Sequence, residues 1–255
     1  MTGMVLRLAG PLQSWGEHST FGDRDTLSYP TRSGIIGIFA AAQGLRRGEP
    51  LDRYVPLTFT VRVDLRGVHL ADFHTTGGGL TRERTVPTAD GGRRGEGKAT
   101  IVTRRMYLAD AVFTVAVEGP DDLIGQLTAA LRAPRWQPYL GRRSCPPDQP
   151  FLLREQADDP IDELRQRVPL PGRKPDTGDQ VSVDLITEEP LADATIANAT
   201  LTEVSDVPAA FSRFDRRYGL RAVYRQRAAL PAALARWRSR SEYQHALAEY
   251  ARRPA

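Results

Sequence analysis

The sequence predicts an α+β protein, because strand patterns and helix patterns alternate along residues 1–153. Short apolar runs bounded by glycine or proline indicate strands, and stretches with one apolar stripe indicate helices. Their order is strand, helix, strand, long excursion, strand, helix, strand. This is the split βαβ order of ferredoxin-like domains, which RNA-recognition domains share. Residues 154–255 are predicted to form a smaller C-terminal extension with strands and a terminal helix.

The first helix has clear start and stop signals. Thr31 or Ser33 is the predicted N-cap, and Gly44 is the predicted C-terminal stop. Gly34 and Gly37 lower the helix propensity, so we expect close packing to require them. The helix N-terminus has free N–H groups and a partial positive charge, which suit a phosphate.

The other elements of the body follow from simple patterns. Residues 58–66 alternate between apolar and polar side chains, as in a half-buried strand. Residues 100–108 and 111–117 indicate two further strands with a kink or turn between them. Residues 120–134 begin with acids, carry one apolar stripe and end at a proline, which is typical of a helix. A short apolar strand follows at residues 151–153.

Two segments lack a simple periodicity. Residues 67–99 are rich in glycine, threonine and arginine, and they are too long for a hairpin turn. Loops of this kind in compact domains are usually functional or disordered. Residues 211–227 carry six arginines with aromatic residues between them, ahead of a helix predicted at residues 228–252. Such interleaving is typical of single-strand RNA binders, although a solvated strand face gives the same pattern.

The basic residues are almost all arginine. Among the 35 lysines and arginines, Lys98 and Lys174 are the two lysines, and the net charge is +4. Arginine matches phosphates and stacks on bases better than lysine, but a GC-rich genome gives the same bias. One cysteine, Cys145, excludes an intramolecular disulfide and fits a reducing cytoplasm. No apolar run approaches the ~20 residues of a membrane helix, so we expect a cytoplasmic protein with no membrane partner.

The run Gly141-Arg142-Arg143-Ser144 is the strongest local candidate for a ligand contact. Glycine lets the backbone approach a ligand closely, paired arginines neutralise phosphates, and a serine hydroxyl adds a hydrogen bond. A turn with exposed arginines is the alternative. Trp15 is either a core residue, the default for tryptophan near a strand end, or a platform on which a base stacks.

The candidates for catalysis are weaker. His69 and His74 flank Asp72, but two histidines five residues apart without a cysteine partner make a poor zinc signature. His74 with Lys98 or Tyr107 could form a metal-free ribonuclease site, in which a 2′-hydroxyl attacks the adjacent phosphate. Nothing in the spacing enforces that arrangement. The sequence has no Walker A motif, dinucleotide fingerprint or nucleophile elbow, so neither a metal nor a cofactor is expected.

Five runs of the sequence are informative when they are taken together. They are residues 6–16, 29–34, 72–75, 107–115 and 139–146. In this order they resemble the CasD subunit family of the type I-E CRISPR Cascade complex. The resemblance covers residues 4–153, and the C-terminal hundred residues match the family more loosely.

The resemblance implies a RAMP-type ferredoxin-like domain in which residues 67–99 form a β-hairpin thumb. It implies that the chain grips the five-prime handle of the CRISPR RNA (crRNA) and caps one end of the backbone filament in antiviral defence. The implied protein partners are the backbone subunit CasC and the large subunit CasA. In this branch another subunit cuts the precursor, so no catalytic role is expected. A metal-independent endoribonuclease that processes precursor crRNA and a generic single-stranded RNA-binding protein are the alternatives.

The resemblance also implies which residues lie near the RNA. Arg105 occupies a position that we carry over as a contact to the handle. The other positions that line up with motifs near the RNA are Gln13, Trp15, Thr31, Arg32, Ser33, His74, Arg104, Arg142, Arg143 and Ser144.

Overall fold

The computed structural model describes residues 2–17, 22–88, 90–97, 99–176, 178–191, 199–211 and 216–253. Its strands are β1 (Gly3–Ala9), β2 (Leu12–Gln13), β3 (Asp23–Arg24), β4 (Thr58–Leu65), β5 (Val68–Thr76), β6 (Ile101–Ala109), β7 (Val112–Glu118), β8 (Leu152–Ala157), β9 (Gln180–Thr187), β10 (Thr200–Phe211) and β11 (Arg216–Pro231). Its helices are α1 (Arg32–Gln43), α2 (Asp121–Arg132), α3 (Pro160–Asp162) and α4 (Arg240–Arg252). No helix within these ranges is long and apolar enough to cross a membrane.

Seven of the described strands form one antiparallel sheet in the order β10-β11-β9-β4-β7-β1-β8. Within it, Val115 of β7 lies opposite Leu6 of β1 on one side and Val61 of β4 on the other. This arrangement confirms the predicted mixture of helices with an antiparallel sheet. Strands from both sides of residue 153 share the sheet, and the division of the chain at that residue stays a prediction.

Helix α1 lies in the main hydrophobic core and begins where its capping signal predicts. The Thr31 side-chain oxygen accepts a hydrogen bond from the Gly34 N–H at 3.2 Å, so Thr31 rather than Ser33 is the N-cap. Gly44 ends the helix with φ 76°, a left-handed conformation that glycine adopts without strain. Buried side chains of α1, such as Phe39, pack with those of β1 and β7 in this core.

Close packing explains one of the two glycines in α1. A Cβ at Gly34 would lie 2.7 Å from Cε3 of the Trp15 ring, so any larger residue would push the indole away. A Cβ at Gly37 would meet no atom within 4 Å. The packing expectation is therefore right for Gly34, whereas for Gly37 close packing against another chain stays a prediction.

The opposite face of the sheet is covered by α4. Val5, Ala116 and Leu153 form a second buried cluster with Tyr243 and Leu247. Because α4 shields β1, β7 and β8 from water, the C-terminal part of the chain packs against the same sheet and is part of its hydrophobic core.

The predicted helix at residues 228–252 is too long at its N-terminal end. Strand β11 continues to Pro231, and α4 begins only at Arg240. Proline has no N–H to donate, which disfavours a helix that runs through this position. Ser239 caps the observed helix, because its hydroxyl oxygen accepts from the Glu242 N–H at 3.1 Å.

Strands β5 and β6 form a two-stranded ribbon outside the main sheet. Their register starts with Val68 opposite Ala109 and continues over nine residue pairs. The short strands β2 and β3 pair with β6, whereas β5 pairs with no other described strand. A turn at Asp110, with φ 56°, leads into β7 where a kink or turn was predicted. The excursion at residues 67–99 is therefore one strand and the tip of this ribbon, and β6 is its second strand.

Candidate nucleic-acid interface

A tight loop at residues 141–144 lies against the backbone that leads from β2 toward α1. The Cys145 N–H donates to the Arg142 carbonyl at 2.8 Å, which closes the loop. Gly141 has φ 81°, and a Cβ there would lie 1.6 Å from the Ser14 carbonyl oxygen. Only glycine permits this approach. The glycine thus approaches the chain's own backbone, and that contact fixes the direction of the arginines beside it.

The two arginines of this loop have different environments. The Arg142 guanidinium lies 4.5 Å from the centroid of the Tyr107 ring and donates to the Arg24 carbonyl at 3.3 Å. Arg143 and Ser144 are exposed. Arg142 therefore fastens the loop to the ribbon through a cation–π contact, while Arg143 and Ser144 face solvent.

The faces of the ribbon carry different side chains. Successive residues of a strand point to opposite faces, so Arg105 and Tyr107 share one face of β6 while Arg104 lies on the other. The pairing register places His74 of β5 on the same face as Arg105. We call this side, with residues 141–144 stacked on it through Tyr107, the loop face. The opposite side is the outer face.

Several predicted contact residues meet on the loop face. Arg105 lies opposite Asp72 and donates from Nε to the Thr103 hydroxyl oxygen at 3.1 Å. His74 Nδ1 lies 3.6 Å from a carboxylate oxygen of the same Asp72. The structure thus brings residues from two distant segments to one side of the ribbon. They are Arg105 and His74 of the ribbon and Arg142 of the loop, and Arg142 is followed by the exposed Arg143 and Ser144.

The outer face is apolar as well as basic. The Arg104 guanidinium lies 5.2 Å from the centroid of the Phe73 ring, its cross-strand neighbour. Phe73 is 68% exposed and Val102 is 56% exposed, which is unusual for large apolar side chains on one strand pair. The sequence analysis did not identify Phe73 or Val102 as functional, because their exposure follows from the register of β5 on β6.

Gln13 and Trp15 are buried and bonded to each other. The Trp15 Nε1–H donates to the Gln13 side-chain oxygen at 3.1 Å, and Gln13 Nε2 donates to the Leu8 and Ala111 carbonyls at 3.1 and 2.7 Å. Trp15 is 1% exposed, so its ring has no free surface on which a base can stack. This position favours the core interpretation of Trp15, and the direct RNA contact of both residues stays a prediction.

A carboxylate occupies the N-terminus of α1, where a phosphate was expected. The Arg32 N–H donates to Asp206 Oδ2 at 2.6 Å, and the Arg221 guanidinium donates to both oxygens of Asp206 at 2.6 and 2.9 Å. Thr31 and Arg32 are buried, and Ser33 is half-buried beside them. The dipole of α1 is therefore already compensated within the fold, and the expectation of a phosphate there is corrected.

The residues considered for catalysis are not brought together within the described ranges. Tyr107 lies opposite Leu70, four residues from His74 along β5, which is ~13 Å at the rise of a strand. Tyr107 is 6% exposed beneath Arg142. Lys98 lies outside the described residues. In the described part of the chain no three His, Cys, Asp or Glu side chains cluster as metal ligands would. The absence of catalysis stays a prediction.

Comparison with known proteins gives consistent matches. The model of the family described as CRISPR-associated protein (Cas_Cas5) matches residues 3–224. The CRISPR system Cascade subunit CasD of Escherichia coli (strain K12) is 39% identical over 177 residues, which cover 66% of this chain and 78% of that protein. A chain of a solved CRISPR RNA-guided surveillance complex is 56% identical, with a TM-score of 0.87 over 98% of this chain and 100% of that chain. A crystal structure of a Cas protein is 30% identical, with a TM-score of 0.61 over 92% and 97%. The chain belongs to the Cas5 family of CRISPR-associated proteins.

Proposed function

We propose that this chain, a subunit of a CRISPR Cascade complex, grips the five-prime handle of the crRNA and caps the backbone filament without cleaving RNA. The observation that carries the proposal is the loop face. There Arg105 and His74 of the ribbon lie on the side on which Arg142 stacks on Tyr107, and the exposed Arg143 and Ser144 follow Arg142 in the same loop. Two guanidinium groups, an imidazole and a hydroxyl on one side suit a sugar–phosphate chain.

The body is, in this proposal, a ferredoxin-like domain of the RAMP type. The strand order β4-β7-β1-β8 supports it, with α1 between β1 and β4 in sequence and α2 between β7 and β8. The ribbon of β5 and β6 is then the thumb, longer than residues 67–99 because β6 belongs to it.

Binding on the loop face rests on charge-assisted hydrogen bonds to phosphates. Arginine forks bind phosphate oxygens with two N–H groups, and each neutralised phosphate releases counterions. Arg143 is carried on a backbone that is already fixed, because Gly141 is pressed against Ser14 and Arg142 is stacked on Tyr107. A fixed loop loses less conformational entropy when the RNA binds.

The edge and outer face of the ribbon support a protein partner. β5 has an edge that pairs with no described strand, and Val68 and Leu70 along it are 70% and 47% exposed. By the pairing register these two side chains lie on the loop face, whereas Phe73 and Val102 form an exposed apolar patch on the outer face, which a chain that pairs along β5 would cover. We assign this surface to the backbone subunit CasC and keep the large subunit CasA as the second partner.

The test is assembly of the Cascade complex with altered versions of this chain. A complex that carries Arg105→Ala with Arg143→Ala is expected to lose its guide RNA during gel filtration at moderate salt. The matched control is Arg46→Ala with Arg47→Ala, two exposed arginines after α1 that lie outside the ribbon and its loop. A complex that lacks this chain and still holds its guide as firmly as the complete one contradicts the proposal.

Cleavage is tested separately. The purified chain is incubated without metal ions with a precursor RNA that contains the CRISPR repeat, and no cut at a fixed position is expected. A fixed cut that disappears in His74→Ala would overturn the non-catalytic assignment and favour the endoribonuclease.

A further inference from the structure

A cleft of about 280 Å³ lies at the end of β4, beside the start of the ribbon. Arg66, the residue before the Gly67 turn into β5, lines it together with Arg173, Arg227 and Asp184. None of these residues belongs to the loop face or the outer face.

The cleft holds more positive charge than its carboxylates neutralise. Asp184 accepts from Arg66 at 2.7 Å and from Arg225 at 3.0 Å, so one acid serves two arginines. Arg227 forms no ion pair with any described residue, although Asp176 is close enough to interact with it electrostatically. Three arginines, Arg66, Arg173 and Arg227, thus line the cleft, and its one partly exposed acid, Asp184, is shared with Arg225 outside the lining.

The remaining carboxylate near the cleft is already used inside the protein. Asp64 is 2% exposed and pairs with the fully buried Arg62 at 2.6 Å. Its backbone carbonyl accepts from Arg173 Nη2 at 2.8 Å. Asp64 therefore does not cancel the charge of the cleft.

Arg173 is held in place before any ligand arrives. Its backbone N–H donates to the Ala235 carbonyl at 3.2 Å. Its guanidinium donates to the backbone carbonyls of Ser182 and Asp64. A Cβ at the preceding Gly172 would lie 2.0 Å from the Trp237 carbonyl oxygen, so this loop is pressed against the body. A cation that is anchored by neutral carbonyls keeps its charge for an anion.

We infer that this cleft binds a backbone phosphate of the guide RNA, outside the segment that the loop face holds. The inference rests on the proposed function, and it adds a second anchoring point on the C-terminal part of the chain. Arginine forks and a positive excess suit a phosphate. No aromatic side chain lines the cleft within the described residues, so the contact is to the backbone rather than to a base.

The first test uses Arg227→Gln in the full chain, with a fluorescent single-stranded RNA that contains the handle and the following spacer nucleotides. Affinity measured by anisotropy is expected to fall roughly 5- to 10-fold, the scale of one charge-assisted bond. The log–log salt slope should become shallower by about 0.7, one phosphate of a single strand. Arg227→Glu should bind more weakly still, and Arg47→Gln, an exposed arginine elsewhere, should match the unaltered chain.

The second test identifies the phosphate. Neutral methylphosphonates are placed one at a time along the same RNA. At one position outside the handle the unaltered chain should lose as much affinity as Arg227→Gln does, and Arg227→Gln should lose nothing further there. Additive losses at every position would mean long-range attraction without a bound phosphate, which would overturn the inference.

Other outcomes separate this inference from the proposed function. If Arg227→Gln and Arg66→Gln both keep the RNA affinity and the salt slope of the unaltered chain while Arg105→Ala loses affinity, the cleft does not bind RNA. The proposed handle site on the loop face would then still hold. If these two variants weaken assembly with a protein subunit but leave RNA affinity unchanged, the cleft binds an acidic protein surface instead of RNA. This result would also overturn the inference. If the unaltered chain does not bind the RNA at all, both the inference about the cleft and the proposed function are wrong.

Discussion

The two long hairpins of this chain, β5–β6 and β10–β11, use arginine in opposite ways. In β10–β11, Arg221 donates to both oxygens of the buried Asp206, and Arg225 pairs with a carboxylate at 3.0 Å. In β5–β6, Arg104 lies over an aromatic ring and Arg105 bonds to a threonine hydroxyl. Ion pairs of Arg221 and Arg225 thus tie β10–β11 into the body, whereas Arg104 and Arg105 of the ribbon form no ion pair with a described residue, and neither does Arg227 beyond the part of β11 that pairs with β10.

In this chain the role of an arginine follows from the group that its guanidinium contacts and not from how frequent arginine is in the segment. A guanidinium bound to a buried carboxylate is needed by the fold, since removing either partner leaves a buried charge unpaired. A guanidinium on a ring or a hydroxyl still has N–H donors for a ligand. From composition alone, residues 211–227 matched an RNA binder better than β6 did, yet Arg221 and Arg225 form ion pairs there. Arg213 lies outside the described residues.

The largest expected effect breaks the hairpin that the fold needs. Asp206→Ala should lower the free energy of unfolding by about 3–5 kcal/mol, because Arg221 and the Arg32 N–H lose a fully buried acceptor. Urea unfolding followed by circular dichroism measures it. The matched control is Asp72→Ala in β5, where the Asp72 side chain is 41% exposed. This substitution should lower the free energy of unfolding by less than about 0.5 kcal/mol. Equal losses of unfolding free energy in the two variants would contradict the conclusion that a buried ion pair stabilises β10–β11 but not β5–β6.

The next effect tests the loop face. Arg105→Ala should weaken binding of handle RNA by about 1.5–3 kcal/mol, because a charge-assisted bond to phosphate is lost. Its free energy of unfolding should stay unchanged. Arg104→Ala, on the outer face of the same strand, should change RNA affinity by less than about twofold, so anisotropy titrations of the two variants compare the faces directly. If Arg104→Ala is the more damaging change, the RNA lies on the other side of the ribbon.

A smaller effect tests the outer face. Phe73→Ala should weaken association with the backbone subunit by about 1–2 kcal/mol, since a 68% exposed aromatic ring would be covered in the complex. Calorimetric titration of the two purified proteins measures it, and handle RNA affinity serves as the internal control. Weakened RNA binding with intact subunit association would reassign Phe73 to a base-stacking role.

The smallest effect is expected from the apolar side chain that β11 exposes most. Leu220 is 70% exposed, as much as Val68 on the ribbon. Leu220→Ala should leave unfolding, RNA affinity and subunit association within about 0.5 kcal/mol of the unaltered chain. A loss of association here would show that β10–β11 is also a docking surface for a protein subunit.

Much of the body could be predicted from the sequence because its signals are local. Thr31 and Gly44 bound α1 through hydrogen bonds within a few residues of each helix end. The alternation at residues 58–66 located β4, although its polar residues Thr60, Arg62 and Asp64 are buried rather than exposed. Two acids in the first turn of α2 marked the start of that helix. Such signals depend on neighbours along the chain, so they survive without knowledge of the tertiary fold.

What could not be predicted depends on distant partners. The hydrogen bond from the Arg32 N–H to Asp206 joins residues 174 positions apart, and no periodic pattern in the sequence predicts it. The same limit applies to the site. Resemblance identified Arg143, which is exposed, and Arg105, which is half-buried, but also Gln13, which is fully buried, because residue type does not determine exposure.

The bond from the Arg32 amide to the Asp206 carboxylate also bears on how the chain is made. Chains leave the ribosome from the N-terminus, at about 5–20 residues per second. Helix α1 is therefore synthesised long before the acid that completes its first turn, and until then water must occupy that position. A product that stops short of residue 206 lacks the acceptor of the Arg32 N–H, so we expect it to be digested by proteases more readily than the full chain.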